Sequence, residues 1–131
     1  MRHRLFLAPL AIAVTCLLGG MTVSTASAAP KPKVSYCSPT GDYCQGIFRQ
    51  NGRLRANIST FSFSGDYQLC VINRTHGRQC NTLQLRRGCS GIFQGSVGLA
   101  KHFRFQAKGR YSVIWRLDSH TIGKKLSFRK G

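Results

Sequence analysis

The segment GDYQLCVINRTHGRQC, Gly65 to Cys80, brings two cysteines, a histidine and two arginines together in one short stretch. It admits two readings, a reactive or metal-binding cluster and a stapled β-hairpin. With a turn centred on Thr75, Cys70 and Cys80 face each other across the two arms. Directly opposed residues at a non-hydrogen-bonded site have Cα atoms about 4.5 Å apart, near the lower limit for a disulfide. Zinc sites favour cysteines two to four residues apart and paired histidines. Here successive cysteines of the mature chain are separated by seven, ten and nine residues within their local groups, and His76, His102 and His120 are scattered. The hairpin is the better reading, and neither a metal nor a cofactor is expected.

The rest of the chain from Val34 onward carries the same β signature, alternating residues broken by turn formers, with no sustained helical period. In CQGIFRQNGRLRANI, Asn51-Gly52 is the preferred pair for a two-residue type I′ turn, where both residues need positive φ. Leu54, Ala56 and Ile58 then alternate with Arg53, Arg55 and Asn57, one face in and one face out. Phe61 and Phe63 reverse that phase, which predicts a bulge or bend near Ser59-Thr60 where a strand changes sheets. The hairpin beginning at Gly65 has a second copy: GDYQLCV aligns with GRYSVIW (Gly109–Trp115), forty-four residues on, and His76 then aligns with His120. Between the copies Val97, Leu99, Phe103 and Phe105 share one parity and predict a seventh strand, with Lys101 as the misfit.

About seven strands in a hundred residues is the size of an immunoglobulin-like β-sandwich. Three stretches, CSPTGDYC (Cys37–Cys44), ISTFSFSGDYQLCV (Ile58–Val71) and GRYSVIWRL with the later LSFRK, add to this. On them, the segment from Cys37 to Lys130 resembles small exported bacterial proteins of unassigned function with an immunoglobulin- or fibronectin-III-like fold. The resemblance implies that sandwich and a four-cysteine pattern to which Cys89 does not belong; it brings no active site.

The N-terminus reads as an export signal. Arg2 and Arg4 precede an apolar run from Leu5 to Leu18, and Ala26-Ser27-Ala28 offers a small-x-small cleavage site. The run falls short of the roughly 20 residues a membrane span needs, and Cys16 behind Thr15 is a poor lipoprotein site. The expected organisation is a cleaved signal peptide over residues 1–28, a short Pro- and Lys-rich leader over 29–36, and one sandwich domain over 37–131. The product is expected to be extracellular or attached to the cell envelope, with no integral membrane span. Five cysteines survive cleavage, and export favours their oxidation. Local staples Cys37–Cys44 and Cys70–Cys80 are expected, although five cysteines allow other pairings. In that scheme Cys89 is the unpaired thiol, available to link two chains.

Charge bounds the partners. The full chain has 20 Lys and Arg against three Asp and Glu, a net charge of +17, and the mature chain keeps +15 once Arg2 and Arg4 are removed. A field of this size draws polyanions in a salt-dependent way. Anionic wall polymers, nucleic acid and sulfated glycans all qualify. Arg53, Arg55, Arg86, Arg87, Arg110, Arg116, Arg129 and Lys130 mostly take the polar parity of their strands and are the candidate contacts. No catalytic residue is assigned, and a non-catalytic binding module is the leading expectation. The rivals are a ribonuclease-like enzyme using His76 and His120 as acid and base, and a membrane-active basic protein, for which no amphipathic helix is evident.

Overall fold

The computed structural model describes residues 32–131, apart from the side chain of Cys89. The export signal, its cleavage site, Cys16 and the start of the leader lie outside the described residues, as does the role expected of the Cys89 thiol. Nine strands form two antiparallel layers. They are β1 (Pro32–Cys37), β2 (Tyr43–Gln50), β3 (Arg53–Thr60), β4 (Asp66–Asn73), β5 (Gly77–Gln84), β6 (Arg86–Arg87), β7 (Phe93–Gly98), β8 (Gly109–Leu117) and β9 (His120–Lys130). One layer runs β1-β2-β3-β7-β6 and the other β5-β4-β8-β9.

The Asn51-Gly52 turn forms as its chemistry requires: φ is 50° at Asn51 and 73° at Gly52, and Gln50 pairs with Arg53. Leu54, Ala56, Ile58 and Thr60 of β3 are buried, while Arg53 is exposed and Arg55, Asn57 and Ser59 are partly so. Between the layers lie Ile47, Leu69, Leu99, Tyr111, Val113 and Trp115, all but sealed from solvent. Both expected staples are present, Cys37–Cys44 and Cys70–Cys80, each joining residues in direct register with Cα atoms 4.0 Å apart. Cys70 and Cys80 take the parity opposite to Leu69 and Val71, so their bridge is pinned to the outer surface of its layer.

Four features differ from the sequence expectation. There are nine strands rather than about seven. Residues 32–36, read as leader, belong to β1, because Val34 and Tyr36 pack against the core and an edge strand tolerates Pro32, which has no N–H to donate. The phase reversal after Thr60 is a crossover, not a bulge: β3 ends there, and the chain reaches β4 through residues 61–65. The predicted strand through Val97 and Phe105 stops at Gly98. Helix α1 (Leu99–His102) replaces it, letting Leu99 and Phe103 both turn inward while Lys101 stays exposed.

The repeated hairpins lie side by side, β4 against β8. Cys70 pairs with Ile114, the residue forty-four positions on, so an approximate two-fold axis passes through that pair and exchanges the two hairpins. Antiparallel neighbours put their following turns at opposite ends of the layer.

Candidate functional site

One side of the sandwich is built from an abrupt change of layer. The chain leaves β5 and enters β6 with only Leu85 between them, and the Leu85 N–H donates to the Gly65 carbonyl at 2.9 Å. Residues 99–106 cover this side. Leu99, Phe103 and Phe105 plug into the core, where the Phe105 ring lies 4.5 Å from that of Tyr111. Lys101, His102 and Arg104 are thereby left facing outward. Two polar latches on β5 hold the segment: the Asn81 amide donates to the His102 carbonyl at 2.6 Å, and the Arg104 N–H donates to Gln79 Oε1 at 2.8 Å.

Four adjoining depressions run across this side. Arg53, Arg55 and Ser96 line the first, of about 590 Å³. The same three line the second, together with Lys101 and His102. The third, about 490 Å³, takes in Arg86, Arg87, Gln94, Tyr67 and again His102. The fourth, about 600 Å³, is lined by His76, Gln79, Lys101, His102 and Arg104. His102 is common to three of them, so together they make a single winding groove. None of the three aspartates lines it. Asp42 sits in the β1–β2 turn, where it accepts from the Thr40 hydroxyl at 2.7 Å; Asp66 begins β4, and Asp118 lies in the β8–β9 turn.

The groove wall is partly fixed. The Arg55 guanidinium donates to Ser96 Oγ at 2.9 Å and to the Ser96 carbonyl at 3.2 Å, and that hydroxyl donates on to Asn57 Oδ1 at 2.7 Å. Beneath the third depression Tyr67 is buried against β7, with its phenol where a side chain on Gly95 would go. Burial pushes the Tyr67 hydroxyl up to about 12.

The sequence candidates therefore divide. Arg53, Arg55, Arg86 and Arg87 come together in the groove. Arg110, Arg116 and Arg129 share the outer parity of the β5-β4-β8-β9 layer, where Arg116 donates to Gln68 Oε1 at 3.1 Å and to the Ser119 carbonyl at 2.6 Å. Lys130 is turned toward the body of the protein: its ammonium lies over the Phe105 ring and donates to the Phe105 and Gln106 carbonyls. The histidine pair expected for catalysis, His76 and His120, is not brought together. Their turns lie at opposite ends of the layer, separated by the length of β8 from Tyr111 to Leu117, about 20 Å at about 3.3 Å per residue. His76 instead shares a depression with His102. Lys101, His102 and Arg104 are the groove residues that sequence reasoning missed, and the one signal for them was Lys101 breaking the strand alternation. Among the described residues no three His, Cys, Asp or Glu side chains converge as a metal ion requires, and no helix is long and apolar enough to cross a membrane. In comparisons with protein-family models, curated proteins and solved structures, nothing matches this chain.

Proposed function

We propose that this protein is an exported, non-catalytic binding module for anionic polymers, held by phosphate or sulfate ester groups along the groove. The observation that carries this reading is the convergence of Arg53, Arg55, Arg86, Arg87, Lys101 and Arg104 from β3, β6 and the 99–106 segment, with no carboxylate lining the same surface. Arginine forks suit tetrahedral oxyanions, whose two oxygens they engage at once. Phe61, the large apolar side chain most exposed among the described residues, lies in the β3–β4 crossover and lines none of the four depressions. A groove without an aromatic stacking platform favours tracking of the charged backbone over reading of bases. Two disulfides fit an oxidising compartment, in keeping with export to the cell surface or medium.

The scaffold we read as immunoglobulin- or fibronectin-III-like. Taking β2, β3, β7 and β6 as strands A, B, E and D, and β4, β8 and β9 as C, F and G, supports this, with β5 as an added C′ beside C. So does Tyr111, near the start of β8, whose hydroxyl donates to the Ala107 carbonyl at 2.8 Å in the manner of a tyrosine corner.

The test is binding to heparin and to single-stranded DNA across a salt series. Six contacts to a single strand give a slope of about −4 in log affinity against log salt, and Arg53→Ser with Arg55→Ser makes it shallower by about 1.4. Binding indifferent to salt would refute the proposal. The ribonuclease-like reading has one observation in its favour, the shared depression of His76 and His102 beside Lys101 and Arg104. RNA cleavage lost in both His76→Ala and His102→Ala would establish it in place of the binding module.

A further inference from the structure

We propose that the protein joins two anionic chains, one lying in the groove and a second on the outer face of the β5-β4-β8-β9 layer. The inference rests on the groove's being a polyanion site and adds a second, separate one. In the β8–β9 register Arg110 stands directly opposite Arg129, and both are exposed. Like charges opposed across a strand pair repel, and the arrangement is relieved when an anion lies over both. The next outward-facing row holds Ser112 opposite Ser127, their hydroxyls 2.8 Å apart. Two guanidinium forks and two hydroxyls thus face one patch, a donor set matched to ester oxyanions. Arg78 extends the serine row through Ile72, which pairs with both Arg78 and Ser112.

Acidic residues are segregated from this patch. Asp66 begins β4 and Asp118 follows β8, and the antiparallel pairing of these strands puts both at the far end of the layer from Arg110 and Arg129. Arg53 and Arg55, by contrast, project from β3 in the other layer with the parity opposite to its buried Leu54 and Ala56. The two arginine clusters therefore face away from each other across the sandwich. A rigid body with cations on both faces crosslinks polymers, whereas one with a single groove coats them.

The test loads the full-length mature protein onto immobilised heparin at low salt, washes it, and then passes a short fluorescent heparin oligosaccharide over the surface. The loaded surface is expected to capture about one oligosaccharide per protein. Arg110→Ser with Arg129→Ser is expected to load to the same level and to capture at least fivefold less. A loaded wild-type surface that captures nothing, or a double variant that captures as much as wild type, overturns the second site while leaving the groove standing. Failure of the wild-type protein to load overturns the groove itself and the bridging with it.

Discussion

Gly95 has no side chain because Tyr67 occupies its place, and this gives a quantitative test of how the groove floor is packed. A Cβ at position 95 would stand 2.5 Å from the Tyr67 hydroxyl oxygen and 2.8 Å from two ring carbons. Tyr67 is only 3% exposed, so the ring has little free space into which to move. Forcing an extra methyl into a packed site costs about 1–3 kcal/mol. The lost freedom of the unfolded chain returns about 0.4–1 kcal/mol for Gly→Ala in a compatible conformation. Gly95→Ala should therefore destabilise the fold by about 1–2 kcal/mol, a fall of about 5–15 °C in Tm for a domain of this size. Tyr67→Phe removes the nearest atom, so the same substitution should cost about 1 kcal/mol less in that background, a coupling that a double-mutant cycle by urea denaturation resolves. If Gly95→Ala melts with the parent, or if the two changes are additive, the packing argument is wrong. Heparin affinity at a temperature where all four proteins are folded should follow the same order, because Gly95, Tyr67, Arg86 and Arg87 line one depression.

Three further outcomes are expected. An unfolded tyrosine loses its proton near pH 10, whereas burial holds that of Tyr67 to about 12. Above pH 10 the unfolded state therefore binds fewer protons, and stability should fall by on the order of 2–3 kcal/mol between pH 10 and 12 while staying flat below. Tyr67→Phe should remove most of that slope in denaturant titrations, leaving a remainder from Tyr111, which burial also raises against the opposing Asn73 hydrogen bond. Under limiting reductant the exposed Cys37–Cys44 bridge should open before Cys70–Cys80, whose Cys70 is buried with the Arg78 guanidinium 3.6 Å from its sulfur, as alkylation and mass spectrometry would reveal. Asn81→Ala should lower the salt at which the protein leaves heparin without removing any charge, since it frees the segment carrying Lys101, His102 and Arg104; elution at the parental salt would show that the latch is dispensable.

Where the physics is local, the sequence announces the structure. Asn51-Gly52 dictates its turn, the β3 alternation dictates its buried face, and cysteines ten apart about a tight turn dictate their register. The edge strand β1 is concealed because Pro32 and Lys33 look like linker, although an edge needs only one bonded side. Helix α1 is four residues long, too short for any helical period to register, and its end is held by Asn81 from a distant strand. The groove is invisible for the same reason: its cations come from three separate segments, and only the completed fold makes Arg55 a neighbour of Lys101. The hairpin repeat is plain in the sequence, but the sense in which the copies meet is not. That sense decides that His76 and His120 part company.

The two-fold relation between the hairpins has a consequence for association between molecules. The seam where β4 meets β8 joins two similar surfaces, so a hairpin from one molecule can stand in for its counterpart in another. Refolding at high protein concentration should yield a strand-exchanged dimer that is absent at high dilution, and mixed isotopic labels would show the shared seam by cross-linking between unlike chains.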